Sequence, residues 1–201
     1  DRLLTGSADG TFIIWDVGTW EPLLTIDTSA RTPDAAALGV DAAAFDADGG
    51  TVITASCTQR NPTSSLCEAS NVSLWDAESG EWLRAFEDGH DDAVNAVALS
   101  ADGDRALTGS NDQTMILWDA DSDQPQVTFS GPEDDIRDVV FLPDEQTAIA
   151  GSADKRITWW DLETGERLQT YAGQGGRVLG GDVNDAGTRL VAANEDSSVF
   201  V

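Results

Sequence analysis

Basic residues are scarce in this sequence of 201 residues. Lys155 is the only lysine, and 11 lysine and arginine residues stand against 37 aspartate and glutamate residues, which gives a formal net charge of −26. A surface this acidic repels phosphate backbones and anionic lipid headgroups, so we expect neither nucleic acid nor membranes as partners. The acidity fits a solubility or high-salt adaptation. The alternative is an acidic face that recruits a basic partner.

Long apolar runs and catalytic motifs are also missing. No apolar run approaches the roughly 20 residues of a membrane-spanning helix, and residues 1–5 do not resemble a signal peptide. No GxSxG, HExxH, P-loop or dinucleotide-binding glycine pattern occurs, and His90 is the only histidine. Residues 119–123 resemble the start of an EF-hand loop, but Gln124 and Ser130 replace its required glycine and glutamate. We therefore predict no enzymatic activity, no cofactor and no metal site.

What the sequence does contain is a repeat. Four copies of one pattern each end in a Trp-Asp pair, and the four tryptophans are 60, 43 and 42 residues apart: Trp15, Trp75, Trp118 and Trp160. A fifth copy begins at Leu190 and reaches Val201 one residue before its tryptophan is due. A fixed period of 20 to 50 residues is typical of solenoids and propellers.

The third repeat shows the structure of the unit most clearly. It predicts four short strands, at residues 93–99, 105–109, 114–118 and 126–129. The first is nearly all apolar, as a strand buried on both faces should be, and a turn with Gly103 follows it. The repeat therefore predicts a four-stranded antiparallel meander, without any helix.

With Gly89-His90 and Trp118-Asp119 in its third repeat, the chain resembles the WD-repeat β-propeller family, and its bacterial members in particular. The resemblance implies an all-β propeller of four-stranded antiparallel blades, incomplete in this chain, with about four to five blades and open at both ends. The implied blades are a partial blade at 1–26, a blade with insertions at 27–86, blades at 87–129 and 130–171, and a partial blade at 172–201. The remaining blades of a longer chain would then be one partner.

The resemblance also implies a buried hydrogen-bond network in each blade. The complete set occurs in the third blade: His90, Thr108, Asp112 and Trp118. Other blades keep parts of it: Thr5, Asp9 and Trp15 in the first, Thr54 and Trp75 in the second, and Asp154 and Trp160 in the fourth. Ala150 and Pro132 stand at the threonine and histidine positions of the fourth blade. We therefore interpret His90 as structural.

The second repeat is longer than the others, and the excess lies in residues 27–39 and 57–70. In WD propellers these two connections emerge on the same face, so we expect them to be neighbours. Long loops on a rigid scaffold often carry binding, although tolerated length drift is the alternative. The predicted partner-binding residues are Arg31, Thr32, Pro33, Gln59, Arg60, Asn61, Pro62 and Leu66.

Cys57 and Cys67 are the only cysteines and bracket most of the second insertion. We predict a disulfide between them, against a pair of free thiols. Disulfides rarely persist in a reducing cytosol. A bond would favour a location outside the cytoplasm, and free thiols a cytoplasmic one.

The function that follows is a scaffold for protein or peptide binding, as the sensing or docking part of a larger protein. The alternative is a propeller enzyme that uses acidic residues at the central channel. Three further tryptophans, Trp20, Trp82 and Trp159, are expected to pack between blades or at blade edges.

Overall fold

Short β-strands separated by tight turns make up nearly all of this protein. A computed structural model describes residues 1–31, 38–64, 66–86, 89–122, 124–172 and 175–200. Within them, five antiparallel sheets follow one another along the chain, three with four strands and two with three. The all-β prediction is therefore confirmed, and the sheets that these described residues form do not close into a ring.

The strands are numbered in chain order, sheet by sheet. The first sheet contains β1 (Arg2–Gly6), β2 (Thr11–Asp16) and β3 (Pro22–Asp27). The second contains β4 (Val40–Phe45), β5 (Thr51–Arg60), β6 (Cys67–Asp76) and β7 (Trp82–Phe86). The third contains β8 (Val94–Leu99), β9 (Arg105–Ser110), β10 (Thr114–Asp119) and β11 (Pro125–Ser130). The fourth contains β12 (Ile136–Phe141), β13 (Thr147–Ser152), β14 (Arg156–Asp161) and β15 (Arg167–Ala172). The fifth contains β16 (Val178–Val183), β17 (Leu190–Asn194) and β18 (Val199–Phe200).

The sheets stand side by side around their first strands. β8 contacts both β4 and β12, and β12 contacts β16, so the innermost strands of sheets two to five are neighbours. Each full sheet is a simple meander in which every strand pairs with the next. In the third sheet, the strands begin and end within one residue of the predicted bounds.

The hydrophobic core lies between neighbouring sheets. One cluster joins the second and third sheets, and another joins the third and fourth. An aromatic pair crosses each of these two interfaces. The ring centroids of Phe86 on β7 and Trp118 are 5.1 Å apart, and those of Phe129 on β11 and Trp160 are 5.5 Å apart. Phe12 of β2 and Trp75 make the same kind of contact between the first two sheets, at 5.5 Å. Each Trp-Asp tryptophan from the second sheet onward is therefore covered by the preceding sheet.

A single helical turn departs from the purely β expectation. It is α1 (Thr28–Arg31), which continues directly from β3 in the first insertion. Thr28 is buried, and its hydroxyl donates a hydrogen bond to the Gly10 carbonyl oxygen at 2.8 Å. No helix among the described residues is long and apolar enough to cross a membrane.

The extra tryptophans do not all pack as expected. Trp82 lies partly buried against the core between the first two sheets, and Trp159 packs against the last core cluster. The expectation for Trp20 was wrong, since its side chain is 65% exposed. Trp20 has a φ of 60° in the turn between β2 and β3, where the second and fourth sheets have Gly80 and Gly165 at φ near 70°. The turn therefore sets the position of Trp20 and directs its side chain away from the core.

Candidate functional site

The second insertion is a β-hairpin, not the loop that the sequence suggested. β5 and β6 each run to ten residues and stay paired beyond the sheet, with Cys57 opposite Ser70 and Arg60 opposite Cys67. The tip closes with a hydrogen bond from the Asn61 N–H to the Leu66 carbonyl oxygen at 2.8 Å. The physical reason is that pairing the two arms satisfies backbone groups that a free loop would leave to water. We call residues 57–70 the hairpin.

A disulfide joins the two arms of the hairpin. Cys57 and Cys67 are bonded, with their Cα atoms 5.7 Å apart. Cys57 is fully buried, and Cys67 is partly exposed. The bond closes a loop of about ten residues, which stabilises the hairpin by roughly 2 to 3 kcal/mol in the chain-entropy account.

The two insertions meet, as the sequence analysis expected. The Leu38 N–H donates to the Cys57 carbonyl oxygen at 2.6 Å, and the Cys57 N–H donates to the Gly39 carbonyl oxygen at 2.8 Å. The Arg60 guanidinium adds a hydrogen bond to the Leu38 carbonyl oxygen at 3.2 Å. The described end of the first insertion is thus bonded to the base of the hairpin.

A bulge near the start of each inner strand sets the polar groups beside the hairpin. The register of β4, β8 and β12 shifts after the first residue, which leaves one residue of each strand out of the ladder: Asp41, Asn95 and Arg137. Bulges re-aim a side chain away from the pleat. Here they bring three polar side chains from three sheets to one end of the inner strands.

These side chains and the hairpin enclose a cavity of about 450 Å³. We call it the rim cavity; its walls include Asp41, Arg60, Leu66, Asn95 and Arg137. Sequence reasoning found Arg60 and Leu66 but missed the other three. The available signal was the polar residue that follows the first apolar residue in β4, β8 and β12.

Hydrogen bonds fix the floor of the rim cavity. The Asn95 amide donates to the Asn111 side-chain oxygen at 2.7 Å and to the Ile136 carbonyl oxygen at 2.9 Å. Arg137 forms an ion pair with Asp135, and its guanidinium also donates to the Asn95 oxygen at 3.4 Å. The third and fourth sheets are therefore cross-linked here, and the polar floor is preorganised.

The opposite wall carries a carboxyl group with a perturbed pKa. Burial raises the pKa of Asp41 above its usual value, and the positive charge of Arg60 offsets this only in part. The cavity thus offers a carboxylate and a guanidinium on its hairpin side. It offers an asparagine and an ion-paired arginine on the other side.

The predicted partner-binding residues fall into three groups. Leu66 and Pro62 lie at the tip of the hairpin and are exposed, Leu66 by 70%. Gln59, Arg60 and Asn61 are engaged in hydrogen bonds: the Asn61 and Gln59 amides donate to Glu68 at 2.7 and 3.5 Å, and the Arg60 guanidinium donates to the Leu38 carbonyl oxygen at 3.2 Å. The remaining positions are Thr32 and Pro33, which lie outside the described residues, and Arg31, whose side chain does too.

The four network side chains of the third sheet lie in one hydrogen-bonded chain. The Trp118 indole N–H donates to the Thr108 hydroxyl at 2.9 Å, and this hydroxyl lies 2.6 Å from Nε2 of His90. Nδ1 of His90 lies 2.8 Å from the Asp112 carboxylate. Burial raises the pKa of Asp112, but hydrogen bonds from His90 and Thr114 outweigh it and lower the pKa to about 2. The His90 side chain is only 5% exposed, so its ring is sequestered from the rim cavity.

The other sheets also pair the indole N–H of their tryptophan with a threonine hydroxyl, but the fourth sheet uses a threonine at a different position. Trp15 and Trp75 donate to the hydroxyls of Thr5 and Thr54 at 2.8 and 2.9 Å. In the fourth sheet, Trp160 donates to the Thr158 hydroxyl at 3.1 Å. Thr158 lies on the same strand as the tryptophan, so an offset of two residues replaces the missing cross-strand threonine. The sequence analysis missed this substitute.

The remaining network aspartates hold turns. Asp9 in the first sheet accepts from the N–H and the hydroxyl of Thr11 at 3.0 and 2.7 Å. Asp154 in the fourth sheet accepts from the N–H groups of Glu133 and Arg156 at 3.0 and 2.9 Å. Neither has an imidazole partner.

Asp138 is, after Asp41, a second acidic residue of the inner strands with a raised pKa, the property that channel-carboxylate catalysis would need. Burial raises the pKa of Asp138 to about 6, and the nearby Asp182 charge adds to the effect. Its carboxylate accepts a hydrogen bond from the Gly181 N–H of β16 at 2.5 Å. Asp138 therefore links the fourth and fifth sheets.

Sequence comparison agrees with this geometry. A family model described as WD domain, G-beta repeat, matches residues 80–119 and 123–161. These two segments are WD repeats. Each matched WD repeat begins with the outermost strand of one sheet and continues through the three inner strands of the next. The bacterial character inferred from the sequence stays a prediction.

A curated relative also matches part of the chain. It is the protein groucho of Drosophila melanogaster, which is 26% identical over 117 residues. The match covers 58% of this chain but 14% of groucho, so the chain spans a small part of the length of this relative.

Proposed function

We propose that the chain is a protein-interaction scaffold that holds an extended peptide segment of its partner in the rim cavity. The observation that carries this proposal is the cavity itself, with its polar floor and its exposed leucine. Hydrogen-bonding groups from Asn95 and Arg137 stand at the bottom, where a peptide backbone needs donors and acceptors. Leu66 stands above them with 70% of its side chain exposed.

The physical logic is that of a typical peptide site. An exposed apolar anchor supplies burial on binding, and fixed polar groups supply orientation. Burying Leu66 would contribute about 1.5 to 3 kcal/mol. Because hydrogen bonds between sheets hold the floor in place, little ordering cost is left for the partner to offset.

The test is selection of a random peptide library against the protein, followed by binding measurements with two leucine variants. Leu66→Asp places a charge on the anchor, and Leu83→Asp is the matched control because Leu83 is also exposed but lies on the outer strand β7. We expect the selected peptides to bind Leu66→Asp at least tenfold more weakly and Leu83→Asp unchanged. Thermal melting would show that both variants fold.

Replacement of residues 58–66 by a short turn gives a second reading of the same proposal. We expect peptide binding to be lost while the melting temperature of the rest of the protein is kept. Peptides that bind this variant and Leu66→Asp as tightly as the original protein would show that the hairpin is only length drift.

A non-enzymatic role, within a larger sensing or docking protein, is part of the same proposal. It is supported by the engagement of His90 and Asp138 in hydrogen bonds that hold the fold together.

A further inference from the structure

The disulfide of the hairpin faces an acidic side chain from another strand. A carboxylate oxygen of Asp41, on the bulge of β4, and the sulfur atoms of Cys57 and Cys67 all lie within 4.8 Å of one another. Among the described residues, no hydrogen bond or ion pair engages the Asp41 carboxylate. Asp41 and Cys67 also line the rim cavity, so solvent reaches the group.

We propose that reduction of the Cys57–Cys67 disulfide creates a binding site for Zn²⁺, with the two thiolates and the Asp41 carboxylate as ligands. A dithiol reductant breaks the S–S bond, becomes a disulfide itself and leaves two protein thiols. Binding of Zn²⁺ then displaces one proton from each thiol to solvent. The site goes beyond the peptide-binding proposal and does not depend on it.

The geometry suits this ion. Zn²⁺ binds thiolate sulfur at about 2.3 Å and carboxylate oxygen at about 2.0 to 2.2 Å, which places ligand atoms of a tetrahedral site roughly 3.3 to 3.8 Å apart. The Cα atoms of the two cysteines are 5.7 Å apart, so side-chain rotation alone can separate the sulfurs to that distance. Three protein ligands leave the fourth position for water from the rim cavity.

The ligand set also selects among metals. Two thiolates favour soft or borderline ions such as Zn²⁺ over Mg²⁺ and Ca²⁺, which prefer oxygen. With the carboxylate, the ligands carry three negative charges, more than enough to neutralise a divalent ion.

Metal binding would add a side-chain link that the disulfide does not provide. The disulfide joins only the two arms of the hairpin, β5 and β6. A metal held also by Asp41 would tie the hairpin to the inner strand β4. The oxidised and the metal-loaded states would then differ in how firmly one wall of the rim cavity is fixed.

The experiment uses Co²⁺ as a spectroscopic stand-in for Zn²⁺ on the whole chain, reduced and kept free of oxygen. We expect one Co²⁺ per chain, with a near-ultraviolet thiolate-to-cobalt band and the strong visible bands of a tetrahedral site. Added Zn²⁺ should abolish these bands, and the oxidised protein should not show them. A reduced protein without a thiolate band would overturn the proposal.

Two carboxylate variants test whether Asp41 is a ligand. Asp41→Asn should weaken Co²⁺ binding at least tenfold and keep the thiolate band, and the amide preserves the size and shape of the side chain. Glu68→Gln is the matched control, because Glu68 adjoins Cys67 in the sequence but bonds to Asn61 and Gln59. Unchanged affinity in Asp41→Asn, or an equal loss in Glu68→Gln, would show that Asp41 is not a ligand.

Discussion

The third and fourth sheets each bury a tryptophan at the equivalent position, but in different polar surroundings. Trp118 donates to a threonine hydroxyl that continues through His90 to Asp112. Trp160 donates to Thr158, whose hydroxyl lies 3.4 Å from the Ala150 carbonyl oxygen, and the series of hydrogen bonds ends at that oxygen. The tie between the loop that precedes the inner strand and the turn after the second strand also differs. In the third sheet, the buried imidazole of His90 connects this loop to the turn. In the fourth sheet, the exposed Glu133 side chain, which lies 2.9 Å from the Arg156 guanidinium, helps to connect them.

The comparison separates two requirements of the WD repeat. A buried indole N–H needs an acceptor, because an unpaired buried donor costs about 1 to 3 kcal/mol. Any hydroxyl at the right distance meets that need. The histidine and aspartate serve a different purpose, which is to hold the loop against the turn, and an ion pair at the surface is a weaker substitute.

Removal of the two acceptor hydroxyls should give the largest difference. Thr108→Val leaves the Trp118 indole N–H and Nε2 of His90 without a partner, and we expect a loss of about 2 to 4 kcal/mol in the free energy of unfolding. Thr158→Val orphans Trp160 alone and should cost about 1 to 2 kcal/mol. Urea denaturation followed by circular dichroism measures both. Equal losses would mean that His90 adds nothing to the third sheet.

The glycines before the two loops should differ in the same direction. A Cβ atom on Gly89 would lie 2.2 Å from the Trp118 ring, whereas one on Gly131 would lie 3.1 Å from the Trp160 ring. Overpacking of this kind costs about 1 to 3 kcal/mol. We therefore expect the free energy of unfolding to fall by about 2 kcal/mol in Gly89→Ala and by less than about 1 kcal/mol in Gly131→Ala. Gly180→Ala is the control, because a Cβ there meets no atom within 4 Å. A larger loss in Gly131→Ala would contradict the packing argument.

Two aspartates should give these sheets opposite responses to pH. Asp112 has a lowered pKa, so its contribution to stability is present above its ordinary value of 3.8 and is lost as the pH falls toward 2. Asp138 has a raised pKa of about 6. Between about pH 4 and pH 6 the folded state therefore holds more protons than the unfolded state, and stability falls as the pH rises.

Asp138→Asn should remove the second response and stabilise the protein above pH 6. The amide oxygen can still accept the Gly181 N–H, and the buried charge is gone. We expect a gain of about 1 to 2 kcal/mol at pH 7, less than the roughly 3 kcal/mol of a two-unit shift, because the carboxyl group is partly solvated. Urea denaturation at pH 4 and pH 7 tests this. A variant less stable than the original protein at pH 7 would disprove the sign.

The fold was largely predictable from the sequence because its signals are local and repeated. The Trp-Asp spacing, the apolar inner strands and the Gly-containing turns each specify a short strand, and the strands of the third sheet lie where the pattern placed them. The Cys57–Cys67 bond was also predictable, since a separation of ten residues between the only two cysteines suits a small loop.

The candidate site was less predictable, because it depends on register. A bulge after the first residue of an inner strand is not visible in the sequence, yet it decides that Asn95 and Arg137 face the rim cavity. The hairpin was predicted as a loop because Gln59 and Arg60 show no apolar alternation. Their pairing is set by the opposite arm, and polar strands that extend beyond a core carry no periodic signal. Trp20 was misjudged because the turn outweighs the hydrophobicity of the residue.

The aromatic pairs across the sheet interfaces have a consequence for how such a chain changes over time. Phe86 covers the tryptophan of the next sheet, and Phe129 does the same one sheet further on. A substitution at one of these phenylalanines therefore changes the packing of the next sheet along the chain. A duplicated or exchanged sheet would bring its own tryptophan, but the phenylalanine that packs on this tryptophan would come from the preceding sheet. Tolerance to new blades should thus depend on the outer strand of the preceding sheet, and the unit that can be exchanged freely is the offset WD repeat.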